Sequence, residues 1–177
     1  MRIATGDDFE AFWTAHRPSL ARAIAATLGD AQLAGEAVDE AMARALQHWG
    51  RVRAMDHPTA WVFRVGVNWG RTRQRRVARS ETAASGVDSV VASEARSSRD
   101  SVAMPEPSIG RAVAALPHGQ RAVVVCRLLL GWSERQTAVA LRIPAGTVKS
   151  RLARALDSLS VSLAHLDPRR SEDDTFA

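Results

Sequence analysis

The chain has no tyrosine, one cysteine (Cys126) and one lysine (Lys149) in 177 residues. A lone cysteine excludes an internal disulfide and fits a protein working in the reducing cytoplasm. Cys126 stands between Val125 and Arg127 in an apolar run, the setting of a buried, inert thiol. The histidines (His16, His48, His57, His118, His165) show no ligand spacing with it, so neither zinc nor any other cofactor is expected. No apolar run approaches the ~18 residues of a membrane span. The first residues lack the pattern of a signal peptide, so membrane insertion is not expected.

The same scarcities explain the charge. The net charge is +5, yet the isoelectric point is about 11.0, because almost nothing titrates between neutrality and arginine. The distribution of charge therefore says more than its total. Residues 1–50 are acidic, with four Arg against seven carboxylates, whereas residues 51–80 set eight Arg against Asp56 alone. Residues 81–107 are again acidic, 108–163 are basic, and the tail from 164 is acidic. Two basic blocks separated by a polar, acidic one suggest two contacts with a polyanion. With 46% hydrophobic residues the chain can bury a core, and its length allows one domain or two small ones.

The clearest local pattern runs from Trp132 to Leu163. Ser133 followed by Gln136 makes a capping box, and Pro144 ends that helix and suits the first turn of the next. On the second helix Val148, Leu152, Leu156, Leu159 and Leu163 share one face at a 3.6-residue period. The opposite face carries Gly146, Ser150, Ala153, Arg154 and Asp157, flanked by Lys149 and Arg151. A small, polar, cationic helix face after a tight turn points to a helix-turn-helix with its second helix in the DNA major groove. A solvated amphipathic hairpin is the plainer alternative; the cap, the short turn and the small outward residues favour the DNA-binding reading.

Upstream, Asp7 to Trp49 reads as helical, broken at Gly29-Asp30, with Phe9, Phe12 and Trp13 clustered and Leu20, Ile24 and Leu28 at helical spacing. From Ala31, a helix turns Ala34, Val38, Met42, Ala45, Leu46 and Trp49 inward and Glu36, Asp39, Glu40, Ala43 and Gln47 outward. Three carboxylates on one face could hold Mg²⁺, but a nucleotide hydrolase needs a second acidic helix. The chain offers only Asp7 and Asp8, or Glu172, Asp173 and Asp174, so a solvated or partner-binding face is the reading taken. Arg51 to Asp56 reads as a loop. A helix from Thr59 places Trp61, Val65 and Trp69 on one stripe and Arg64, Arg71 and Arg75 beside it, with Asn68 between. The arginines suit a phosphate-tracking ridge; the tryptophans are expected in the core rather than as stacking platforms. Residues 79–107 read as a polar linker. Val123 to Leu130 is read as a buried helix supporting the helix-turn-helix.

These residues resemble the extracytoplasmic-function group of bacterial sigma-70 factors along essentially the whole folded length. The first half carries Phe9-Glu-Ala-Phe-Trp, His16-Arg-Pro, Glu36-Ala-Val-Asp-Glu-Ala-Met-Ala-Arg-Ala-Leu46 and His57-Pro-Thr-Ala-Trp-Val-Phe-Arg-Val-Gly-Val-Asn68. The second carries Leu116-Pro117, Gln120-Arg121, Ser133, Ala138, Ile143-Pro144 and Gly146-Thr-Val-Lys-Ser-Arg-Leu152. The family usually has an acid at Gln136, a branched apolar residue at Thr137 and a turn glycine at Arg142, so Arg142 is expected at positive φ.

The resemblance implies an all-α chain of two small domains. A region 2-like domain (1–78) would be joined by a flexible linker (79–107) to a region 4-like helix-turn-helix domain (108–165), with a tail at 166–177. It implies an RNA polymerase sigma factor without catalysis of its own, located in the cytoplasm. Its partners would be promoter DNA, the clamp and flap of bacterial core RNA polymerase, and, as a further candidate, an anti-sigma protein. Glu36, Asp39, Glu40, Ala43 and Gln47 correspond to the polymerase-docking helix. Met55, Asp56, His57, Trp61, Arg64, Asn68, Arg71 and Arg75 correspond to the −10 surface. Gly146, Thr147, Lys149, Ser150, Arg151, Ala153 and Arg154 correspond to the −35 surface. The alternative is a dimeric helix-turn-helix regulator with no polymerase-docking role, but no dimer helix or ligand pocket stands out.

Limited proteolysis checks the domain reading. The first cuts are expected within Ser80 to Ser101, releasing two folded halves; first cuts inside Trp132 to Leu163 would contradict it.

Overall fold

The computed structural model describes residues 3–85 and 107–166. Residues 86–106 and 167–177, which hold most of the expected linker and tail, lie outside them. The described residues are all helical or in turns. In chain order they form α1 (Ile3–Leu28), α2 (Ala31–Gln47), α3 (Trp49–Val52), α4 (Pro58–Ser85), α5 (Pro107–Ala115), α6 (His118–Val124), α7 (Glu134–Leu141) and α8 (Ala145–Ser162). A π turn, Val125–Leu129, continues α6, and a 3₁₀ turn, Ala164–Leu166, follows α8.

The N-terminal half is a bundle of α1, α2 and α4. Gly29 ends α1 at φ +74°, a conformation that suits glycine. Asp30 caps α2 by accepting from the Leu33 N–H at 2.8 Å. Between them these two residues produce the expected break. The inner face of α2 is built largely from small side chains (Ala34, Ala37, Ala41, Ala45) with Val38 and Met42, all buried. Gly66 of α4 crosses this face so closely that a Cβ there would stand 2.6 Å from Ile24 Cδ1 and 3.1 Å from the Ala37 carbonyl. Phe9, Phe12 and Trp49 close the end of the bundle, with ring centroids 5.2 Å apart for Phe9–Trp49 and 5.0 Å for Phe12–Trp49.

Four details depart from the sequence reading. Leu46 is 52% exposed, because one residue past Ala45 rotates the side chain about 100° off the buried stripe. Arg51 and Val52 are helical, since α3 interrupts the expected loop. The helix of α4 continues past Arg79 to Ser85, through a stretch free of Gly and Pro. Its buried large side chains are Val62, Phe63 and Val67, while Trp61, Val65 and Trp69 are only half-buried against the core. Two neighbours, α2 on one side and α7 on another, shift the inward face of α4 away from a single stripe.

In the C-terminal half, Val113, Leu116, Val124, Ala155 and Leu159 form a second core joining α5, α6 and α8. The run from Val123 is helical as far as Leu129, but only its first part is buried. Leu130 N–H donates to the Val125 carbonyl at 3.0 Å, and this wider turn shifts the phase, leaving Leu128 and Leu129 exposed. Ser133 and Gln136 form the expected capping box at α7. Arg142 follows α7 at φ 53°, ψ 48°, the left-handed conformation expected of it. Pro144 then serves as the N-cap of α8 rather than its first residue.

Thr137 is fully buried on α7, and its Oγ1 has no hydrogen-bond partner. A buried hydroxyl left unpaired costs about 1–3 kcal/mol. Thr137→Val, which keeps the shape and removes that hydroxyl, is expected to stabilise the fold by about 1 kcal/mol. The check is a rise in urea midpoint at unchanged m-value.

Candidate nucleic-acid interface

The helix-turn-helix holds α8 by its apolar side: Val148, Ala155 and Leu159 are buried. Gly146, Lys149, Ser150, Ala153 and Arg154 are exposed on the other side, and Thr147 is half-buried. Arg154 Nε donates to the Ser150 carbonyl at 3.2 Å, so its guanidinium lies along its own helix. Arg151 turns inward: it is half-buried, and a Cβ on Gly119 would stand 3.0 Å from its Nη1. Five of the seven residues named for this surface therefore stand free on one face, with Thr147 and Arg151 at its edge.

The second set clusters around the start of α4 and along it. Asp56, Asn68 and Arg75 are exposed, whereas Met55, His57, Trp61, Arg64 and Arg71 are half-buried. Part of that burial comes from the other half of the chain. The amide Nε2 of Gln136 lies 3.3 Å from His57 Nδ1. Arg64 Nη1 donates to the Val139 carbonyl at 3.4 Å. Burial, and then the neighbouring Arg142, lowers the Arg64 pKa from arginine's usual value. Burial, and then Arg75, does the same to Arg71.

Arg121 of α6 is lowered by burial and then by Arg71. Its Nη2 donates to the carbonyls of Ala114 and, at 3.1 Å, Leu116 at the end of α5. His118 is lowered by burial, then by Arg121 and Arg71.

The third set faces away from both. Glu36, Asp39, Ala43 and Gln47 are exposed and Glu40 half-exposed on the outer side of α2. Asp39 pairs with Arg17 at 2.7 Å and Glu40 with Arg44 at 2.7 Å. Arg17 also lies 5.5 Å from the Trp13 ring centroid, which ties α1 to this face; nothing in the spacing of Arg17 and Asp39 announces the pair. Among the described residues no three His, Cys, Asp or Glu side chains converge as metal ligands. No described helix is long and apolar enough to cross a membrane.

A feature absent from the sequence reading is an open apolar groove of about 1240 Å³ between α5, the π turn and α8, lined by Val124, Leu128, Leu129, Leu156, Val161 and others. The signal was present in the sequence as Leu128-Leu129, but a run of apolar residues alone does not say which will stay exposed.

The arrangement is that of a helix-turn-helix transcription factor with a second, arginine-lined helical face. Residues 107–159 match the family model described as Sigma-70, region 4. The chain is 34% identical over 163 residues to the ECF RNA polymerase sigma factor SigL of Mycobacterium tuberculosis, covering 90% of this chain and 91% of that protein. It is 31% identical to SigM of the same organism, covering 90% of this chain and 79% of SigM. Two solved structures share the fold. The sigma factor RpoE of Bartonella quintana, in complex with the anti-sigma factor NepR, superposes with a TM-score of 0.68 at 22% identity, covering 89% of this chain and 97% of RpoE. CnrH, in complex with the cytosolic domain of CnrY, gives 0.59 at 25%, covering 90% and 88%. The chain belongs to the ECF group of the sigma-70 family of RNA polymerase sigma factors. It is a non-enzymatic initiation factor that directs RNA polymerase to promoters.

Proposed function

We propose that the exposed face of α8 reads the −35 element, the α4 surface captures the −10 strand, and the outer face of α2 docks on the polymerase clamp. The observation that carries this reading is the division of α8 itself. Val148, Ala155 and Leu159 are buried on one side, the last two in the second core, and Lys149, Ser150, Ala153 and Arg154 are left together in solvent on the other. Small residues let the helix approach the groove floor, and the two cations supply phosphate and base contacts. On α4, Asn68 and Arg75 present polar and cationic groups beside half-buried Trp61, suiting a single strand rather than a duplex.

On α2, the exposed carboxylates offer a charged docking patch whose loss would not disturb the core. The flap of the polymerase is the partner proposed for the C-terminal half. An anti-sigma protein is proposed as a further partner, since RpoE is seen with the anti-sigma factor NepR. The cytoplasm, where core polymerase works, is the proposed location. Residues 1–78 and 108–165 are the proposed functional units, with 79–107 as the tether between them. Run-off transcription with purified core polymerase tests the whole reading.

Two sets of variants test its parts. Arg154→Ala is expected to weaken −35 binding by about 1–3 kcal/mol if the guanidinium reads a base. Lys149→Ala is expected to act equally on all sequences and to flatten the salt dependence. Fluorescence anisotropy on duplex probes at several salt concentrations separates the two, and unchanged binding by the Arg154 variant would remove it from the surface.

Asp39→Lys with Glu40→Lys is expected to abolish association with core polymerase in a pull-down while leaving the circular dichroism spectrum intact. The Arg17 and Arg44 pairs that these changes break are exposed, and such pairs contribute at most about 1 kcal/mol each.

A further inference from the structure

Helix α7 packs on α4 along the seam between the two halves, and α8 packs on α5, α6 and α7. The apolar grip on α8 is narrow. Val148, Ala155 and Leu159 are buried and Leu152 is half-buried; at 100° per residue these four span an arc of only about 60°. A helix held along so thin a stripe can rock about its own axis, because apolar contact is non-directional. At a radius of about 5–6 Å, a roll of roughly 15° carries the outer side chains sideways by about 1.5 Å. That is more than a hydrogen bond to a base edge tolerates.

Arg151 stands about 60° to one side of the stripe, half-buried on the flank that faces α6. Its guanidinium lies against Gly119 in the first turn of α6. A Cβ on that glycine would stand 3.0 Å from Nη1, 3.1 Å from Cζ and 3.5 Å from Nε. All three atoms belong to the planar head of the side chain, so the head occupies a slot that exists because residue 119 has no side chain. The ion pairs among the described residues, Arg17–Asp39, Arg44–Glu40 and Arg53–Asp8, all lie within the N-terminal half. The contact is therefore one of shape rather than of charge, and a flat, weakly hydrated guanidinium suits it better than an ammonium would.

We propose that Arg151 is a positioning residue of the −35 face. It props α8 against Gly119, stops the helix rolling toward α6, and so fixes the angle at which Ser150, Ala153 and Arg154 are presented to the groove. This rests on the assignment of α8 as the −35 reader. Lys149 and Arg154 stand in solvent and meet DNA themselves, whereas Arg151 acts through its neighbours. An arginine meant only for a phosphate at the rim gains nothing from a glycine opposite it.

The probes are the duplex that the full-length protein enriches from a randomised pool and a scrambled duplex of the same composition. Fluorescence anisotropy across a salt series gives the preference between them and the salt slope of each. Arg151→Ala is expected to lower the preference about fivefold to tenfold, with the salt slope and the urea midpoint close to wild type. Arg151→Met, which refills the slot without a charge, is expected to recover most of the preference. Gly119→Ala, which pushes the guanidinium out of its slot, is expected to lower the preference about twofold to threefold, and to add nothing further when combined with Arg151→Ala.

A phosphate contact has a different signature. The salt slope then falls by about one and both duplexes weaken equally, in Arg151→Met as much as in Arg151→Ala. That result overturns the positioning role, as does an unchanged preference in Arg151→Ala, or a loss that appears only together with a lowered urea midpoint. If the wild-type protein enriches no sequence from the pool, the assignment of α8 itself falls, and the role of Arg151 with it.

Discussion

The close crossing of α4 over α2 is the constraint on which the surfaces of the N-terminal half depend. A side chain larger than hydrogen at Gly66 would collide with Ile24 and with the Ala37 carbonyl. Because α2 answers with alanines at Ala34, Ala37, Ala41 and Ala45, the two helices meet almost backbone to backbone, and dispersion over that contact fixes their relative rotation. Rotation then decides everything outside. It turns the carboxylates of α2 toward solvent on one side and the arginines of α4 toward solvent and α7 on the other. An interface built from larger side chains could accommodate several rotations; this one admits few, so surface residues far apart in the chain are held in fixed register.

The helix-turn-helix depends on a different kind of constraint, one of backbone ends. The capping box of Ser133 and Gln136 satisfies donors at the start of α7, and Arg142 takes the left-handed conformation that ends it. A non-glycine residue there costs about 1–2 kcal/mol, which the surrounding packing of Ala140, Val148 and Thr137 must offset. Gln136 does a second task. The same amide that closes the cap reaches His57 across the seam, so the start of α7 is tied at once to its own helix and to α4.

Much of this was legible before any coordinates. The capping box, the break at Gly29-Asp30 and the outward face of α8 follow from local rules of propensity, capping and period, which act within a few residues, whereas the positive φ at Arg142 was expected only from the resemblance to a family that has glycine there. Leu46 was misread because a wheel assigns a face without saying how wide the neighbouring helix is. Trp61 and Trp69 were placed correctly near the core but not at its centre, because the sequence does not reveal that α4 has a neighbour on a second side. The contact of Phe63 with Trp132 joins residues 69 apart in the chain, and no periodicity points from one to the other. Cys126 was expected to be buried, and it is; that it is buried against α1 rather than within its own half is a property of the packing of two units.

That last distinction bears on how one set of residues can serve both stability and recognition. Arginines that bind a polyanion cannot be paired off with carboxylates in the free protein without losing the charge that DNA is to meet. Among the described residues the ion pairs all lie in the N-terminal half, and the seam beside the cations of α4, α6 and the α7–α8 turn is held by the Phe63–Trp132 contact and by the contacts of His57 with Gln136 and of Arg64 with the Val139 carbonyl. The closed seam thus keeps those charges unspent. Apolar side chains supply attraction without neutralising any arginine, so the charges stay available to an anion. A seam closed by ion pairs would have the opposite property: DNA would have to compete with carboxylates for every arginine, and the cost of opening would grow with the number of contacts the DNA is meant to make.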